Sequence, residues 1–409
     1  MLVKYEFLKI LRKRSTLMVM AASLLITAFL FGLPILQFQI YVQGSPLKGT
    51  QGIRRQKEQM EAFSVTLTEE YLTGTVEEVH QLFEQPGQVG YDGQERFLIE
   101  DAYWNGVAPR EGLLQMIAKN YAAPNESAGY DKLLDIDPAG GIGFYRARQE
   151  KIGQILSAPE REMTPAQQAY WQRQNDRVQT PFRYGYHEGW AVILSSFELL
   201  MFALLAVCIA LAPVFSGEYQ AGTDAVILCA KYGKTKLAWA KIAAALLFGL
   251  LAFTLHVAVA FGLPLAAFGA DGWDLPLQIA NTAIPYPFTF LQAALLSLGV
   301  VYLVLVAMIA LTLFLSAHMK SPYLVLAVLV PVLFLPLFLA PHGTTGFYDL
   351  TLFLLPYRAV VPEFGKYISY QLGGLVLDAF SARAALYALL SAALLPFAKR
   401  GFQAHQVSS

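Results

Sequence analysis

Apolar and polar positions divide the 409-residue chain into six long apolar runs and one extended polar block. The runs fall at 16–36 and roughly 190–213, 238–268, 289–316, 323–340 and 379–397. A helix of about 20 apolar residues crosses a hydrocarbon core of about 30 Å, so each run can span. The run at 289–316 is long enough to tilt or to extend past the bilayer. The pattern predicts an all-α membrane protein with six transmembrane helices. The first run, 16–36, is too long for a secretory h-region and no A-x-A-like site follows it, so it reads as an uncleaved anchor.

Residues 41–188 contain no apolar run long enough to span. Within 53–85, Met60, Phe63, Leu67, Tyr71, Val76, Val79 and Phe83 recur at helical steps, and stretches 110–120, 146–157 and 165–179 look similar. Gln85-Pro86-Gly87 and Asp137-Pro138-Ala139-Gly140-Gly141 punctuate them. The expectation is a mainly helical extracytoplasmic domain between spans 1 and 2.

At the N-terminus, Val3, Phe7, Ile10 and Leu11 share one helical face, with Lys4, Glu6, Lys9, Arg12 and Lys13 mostly on the other. Residues 1–15 read as an amphipathic interfacial helix, or as a basic flank that only sets topology. The remaining boundaries follow: a first span within 16–40, the block 41–188, a five-helix remainder over 189–398, and a tail at 399–409.

Composition supports this reading. The chain is 56% hydrophobic and 15% charged, with a mean hydropathy of +0.44, well away from a soluble domain. The zero net charge hides an asymmetry: block 41–188 carries 15 Lys/Arg against 21 Asp/Glu. No overall basic bias points to nucleic acid. The only cysteines, Cys208 and Cys229, lie outside the block, so it carries no disulfide of its own. Basic residues cluster in the N-terminus, at Lys231, Lys234 and Lys236, at Lys320 and at Lys399-Arg400, whereas the short segment 269–288 has Asp271 and Asp274 and no Lys or Arg. The positive-inside rule places both termini in the cytoplasm of a multi-pass, bacterial cell-membrane protein.

Most candidate chemistry fails on spacing. Gly233-Lys234-Thr235 resembles the end of a phosphate-binding loop, but the required glycine five residues earlier is Leu228. His187-Glu188 lacks the second histidine of a zinc protease, and no Cys/His cluster has metal-ligand spacing. The chain is therefore expected to be no enzyme, with no catalytic residue, no metal and no cofactor of its own. Glu198 and His256 fall inside spans, where a charge costs about 2.5–3.5 kcal/mol on insertion scales. Each reads as a pathway group or an interhelical contact, and Glu198 also lies near the headgroups. Arg383, near the start of the last span, is expected to snorkel outward.

The segment after the second span is the most informative. Glu218 is followed four residues on by Gly222-Thr223, then a short apolar stretch, a basic turn at Lys231, and Lys241 near the start of the next span. This order resembles the permeases of type-2 ABC exporters, as do Lys4-x-Glu6 with Lys9 and Arg12, and Leu315-Ser316 before Lys320-Ser321. The family usually has Pro or Ser in the basic turn, where this chain has Ala230 and Tyr232-Gly233. The resemblance implies that 214–237 is a coupling loop seated on a cytoplasmic ABC ATPase subunit, with residues 1–15 as an elbow helix beside it. It implies ATP and magnesium bound in that partner, a second permease copy or homologue, and re-entrant outer helices within 341–378. The expected activity is export of a hydrophobic or amphiphilic solute, whether peptide, lipid-like molecule, drug or ion, across the lipid bilayer. A membrane receptor whose ectodomain binds a ligand is the alternative.

Overall fold

The computed structural model describes residues 1–92, 95–124, 126, 128–229 and 232–405. Among them the chain is mostly helical, and strands occur only in short antiparallel pairs. A ten-residue helix, α1 (Leu2–Leu11), precedes α2 (Arg14–Gln37). Beyond the polar block come α3 (Phe197–Gln220), α4 (Thr235–Phe268), α5 (Phe290–His318), α6 (Pro322–Leu337) and α7 (Ala379–Ala404). Five of these, α2, α3, α4, α5 and α7, are long and apolar enough to cross a membrane, the mark of a membrane protein. The run expected at 323–340 gives only the shorter α6, with Pro331 and Pro336 inside it. Each interior proline removes a helical N–H donor, which shortens the regular helix.

Two boundaries differ from the apolar pattern for local reasons. The run from 190 is broken at Ser196, where the helix Glu188–Ser195 ends and α3 begins with a tight turn. At its other end α3 continues past the apolar residues to Gln220, so Glu218 sits on a helical turn rather than in a loop. The α5 start is fixed by a reciprocal cap: Thr289 Oγ1 accepts from Gln292 N–H, and Gln292 Oε1 accepts from Thr289 N–H at 3.0 Å.

The polar block folds mainly into helices, including Gly49–Ala62, Glu69–Glu84, Glu111–Tyr121, Phe144–Ser157 and Pro165–Asn175. The periodicity across 53–85 is interrupted at 63–68, because Val65–Thr66 pairs with Arg183–Tyr184 and ties the two ends of the block together. Thr68 then caps the following helix by accepting from Tyr71 N–H at 3.2 Å. Leu67, Leu72, Val76, Val79, Leu113, Leu114 and Ile117 form its buried core.

The block docks on the segments that join the long helices at one end. Arg148, 1% exposed, donates from Nε to the Thr282 carbonyl at 2.7 Å and from a terminal nitrogen to the Ile284 carbonyl at 3.2 Å. Lys57 pairs with Asp271 at 2.7 Å and Arg183 with Asp274 at 2.8 Å. Fully buried Trp171 meets Tyr286 and Tyr367 edge-on and donates to Ser369 Oγ at 3.2 Å. Segment 341–378 itself forms two short helices, Phe347–Leu354 and Pro356–Val360, then a hairpin of Ser369–Leu372 with Leu375–Asp378.

Arg383 does not snorkel. It is fully buried and donates to the carbonyls of Phe353 at 2.9 Å and Val361 at 3.1 Å, and to Glu363 Oε2 at 3.1 Å. Segment 353–363 wraps the start of α7 and supplies the acceptors that water or headgroups would otherwise provide.

Candidate functional site

The motif Glu218-x-x-x-Gly222-Thr223 is a helix stop with a carboxylate built into it. Gly222 adopts a left-handed φ of +65° just past the end of α3. Its N–H donates to the Tyr219 carbonyl at 3.2 Å, and Thr223 N–H donates to the Glu218 carbonyl at 3.0 Å. This pair of bonds satisfies the last helical carbonyls, and the left-handed residue favours glycine because it has no Cβ to clash. The reversal also brings the Thr223 hydroxyl to Glu218 Oε2 at 2.6 Å. From there the short helix Asp224–Cys229 sets off with Val226 76% exposed.

Glu218 then gathers two further elements. Its Oε1 accepts from Lys241 Nζ on α4 at 2.8 Å and from Lys9 Nζ on α1. Lys241 also donates to Glu6 Oε2 at 3.0 Å and reaches the Val214 carbonyl at 3.4 Å. An ammonium has three N–H donors and no acceptor, so these partners saturate Lys241, which is only 2% exposed. Two carboxylates and two ammoniums make the cluster neutral. Neutrality and full hydrogen bonding are what allow charged groups to be buried. A small cavity of about 60 Å³ lies beside the cluster, between α1 and the end of α3.

Of the apolar face expected on α1, Phe7 and Ile10 pack inward, while Val3 and Leu11 are exposed. Ile10 is buried, and Phe7 packs on Phe248 of α4 with ring centroids 6.3 Å apart. Its polar face divides: Glu6 and Lys9 enter the cluster, while Lys4 and Arg12 remain exposed. Of the residues expected to couple, the structure brings together Glu218, Thr223 and Lys241, with Gly222 shaping the turn. Lys231 lies outside the described residues.

The two ionisable residues expected within spans behave differently. His256 is fully buried in α4; Nδ1 lies 2.8 Å from the Ala252 carbonyl and Nε2 lies 2.9 Å from Ser23 Oγ on α2. A carbonyl only accepts, so it assigns a proton to Nδ1. This is an interhelical contact. Glu198 is exposed in the first turn of α3 and accepts from the Tyr357 hydroxyl at 3.3 Å.

Sequence reasoning missed the second anchor of this region. His405 Nε2 lies 3.0 Å from Asp224 Oδ2, and its ring stacks on Tyr219 with centroids 3.8 Å apart. Fully buried Phe402 packs on Phe215 at 4.8 Å. The tail of α7 thus holds the same turn that Glu218 holds from the other side. Only the tail's aromatic residues amid polar neighbours hinted at it. No known family model matches the chain, and neither a curated protein nor a solved structure does.

Proposed function

We propose that the chain is the membrane-spanning permease subunit of an ATP-driven ABC exporter, moving a hydrophobic or amphiphilic solute across the cell membrane. The observation that carries this reading is the Glu218 cluster. One carboxylate ties α1, the end of α3, the start of α4 and the turn into Asp224–Cys229. A soluble partner pressing on that short segment, where Val226 and Cys229 are exposed, would move three membrane-associated helices together, as a coupling element must. Two cytoplasmic ATPase subunits would bind ATP and magnesium, and a second permease copy or homologue would complete the pathway.

The proposed topology has six spans, with α6 the shortest, both termini cytoplasmic and the polar block outside. It is supported by the sorting of charge between helix ends. Lys4, Lys9, Arg12, Lys236, Lys320 and Lys399 fall toward the end that carries α1, whereas Asp271 and Asp274 fall toward the end that carries the polar block. The functional proposal is tested by purifying affinity-tagged protein from its native membrane. A soluble ATPase with a complete phosphate-binding loop is expected to copurify. Stable recovery without any ATPase under every condition would contradict the proposal.

A further inference from the structure

The polar domain contains a cleft that the coupling cluster does not use. It has a volume of about 340 Å³ and lies between the segment that follows α2, the helix Gly49–Ala62 and residues 103–112. Phe63, Tyr103, Trp104 and Tyr184 contribute to its wall, together with Arg110 and Glu111. Tyr103 and Trp104 meet edge-to-face at 5.0 Å and 73°.

The charges around this cleft are unevenly matched. Arg110 is committed elsewhere: it pairs with Glu78, and its Nε donates to the Gly106 carbonyl at 3.0 Å. Glu111 receives only neutral donors, the Tyr103 hydroxyl at 3.1 Å and Gln115 Nε2 at 3.0 Å. Among the described residues it forms no ion pair. A carboxylate with spare acceptor capacity beside several aromatic faces complements a positive charge, because the faces of aromatic rings are electron-rich. The apolar part of the wall, which includes Ile40, Met60 and Phe63, complements a hydrophobic body.

We propose that this cleft binds an organic cation, an ammonium group carried on an apolar body, through Glu111 and the surrounding aromatic rings. The inference is independent of the exporter reading: it applies equally to a receptor, and its test needs no ATPase. The ammonium has two possible sources, a soluble amine or the headgroup of a zwitterionic lipid, since the segment lining the cleft directly follows α2.

The test uses the full chain in phosphatidylglycerol nanodiscs, with isothermal titration of phenyltrimethylammonium and of benzoate, and empty nanodiscs as reference. Saturable binding of the cation is expected, with benzoate at least tenfold weaker. Glu111→Gln and Trp104→Ala should each weaken cation binding at least fivefold, while Trp104→Phe, which keeps an aromatic face, should stay within threefold of the parent. A melting temperature unchanged in Glu111→Gln separates lost binding from lost folding. Repeating the titration in the same phosphatidylglycerol nanodiscs with soluble glycerophosphocholine added distinguishes the sources: weaker apparent binding identifies the zwitterionic headgroup as competitor, and unchanged binding identifies a soluble amine. Equal affinity for benzoate, no saturable cation binding, or full affinity in Glu111→Gln would overturn the proposal.

Discussion

Lys241 donates to Glu218 across 2.8 Å at the junction of α3 and α4, with the lysine 2% and the glutamate 7% exposed. Removing one member of such a pair leaves the other charge buried, at a cost of about 3–5 kcal/mol, whereas replacing both with apolar groups can be nearly neutral. Glu218→Gln is expected toward the lower end of that range, since Glu6 still faces Lys241. Lys241→Met leaves Glu6 without its ion pair and Glu218 with Lys9 alone, and should cost more. The double variant Glu218→Gln/Lys241→Met should be more stable than the sum of the two singles implies. A double-mutant cycle in SDS-induced unfolding measures this; additive costs would show that the pair is not coupled.

Gly222 tests the turn rather than the charge. Its φ of +65° costs a residue with a Cβ about 1–2 kcal/mol. An added Cβ there meets no atom within 4 Å, so Gly222→Ala should carry backbone strain alone. Hydrogen exchange at the Thr223 amide, which donates to the Glu218 carbonyl, should accelerate by about tenfold for each 1.4 kcal/mol lost locally. Unchanged exchange would place the stability of the turn elsewhere.

The polar domain's tie to segment 269–288 carries a pH signature. The hydrogen bond with Lys57 holds the Asp271 carboxyl below its usual 3.8, and the same bond holds the Lys57 ammonium above its usual 10.5. An acid with a depressed folded value stabilises above its unfolded value and loses that contribution as pH falls through the folded one. A base with a raised folded value stabilises below its unfolded value and loses that contribution as pH rises through the folded one. The tie is therefore intact between about pH 4 and pH 10. Both side chains are partly exposed, so Lys57→Met should cost only about 0.2–1 kcal/mol. That difference from the parent should stay constant from pH 5 to pH 9 and shrink in high salt. A difference that varies across the window in denaturation curves would contradict this account.

Ser23 and His256 give a quieter prediction. Their 2.9 Å contact joins α2 to α4, and interhelical hydrogen bonds of this kind contribute about 0.6 kcal/mol on average. Ser23→Ala should lower stability by about that amount and leave transport at the parental level. A large loss of flux without a loss of stability would instead make His256 a pathway group.

The long helices were legible because hydrophobic runs of this length have few other uses. Their ends were legible only where a local signal existed, such as Thr289 with Gln292. At α3 the apolar run stops near 213, yet the helix continues to Gln220, because its end is set by Gly222 and not by hydrophobicity. Glu218, Thr223 and Lys241 could be singled out by their order in the chain. Their convergence with Glu6 and Lys9 could not, since Lys9 and Glu218 are 209 residues apart and periodicity reports only local faces. Arg383 shows the same limit: at a helix start it resembles a snorkelling cation, and only the distant carbonyls of Phe353 and Val361 make it a buried clamp. His405 on Asp224 and Arg148 on the 282–284 carbonyls were invisible for the same reason.

The central claim is that the Asp224–Cys229 segment meets an ATPase and passes its motion to the membrane helices through Glu218. Val226, 76% exposed on that segment, offers the most direct measurement. A photo-crosslinking residue placed at Val226 in the full-length protein, activated in native membranes, is predicted to yield one dominant adduct with a soluble ATPase subunit. The same probe at Tyr91, 71% exposed in the polar domain, should give no such adduct. Crosslinks from Val226 only to lipid, or an ATPase adduct from Tyr91 instead, would contradict the account.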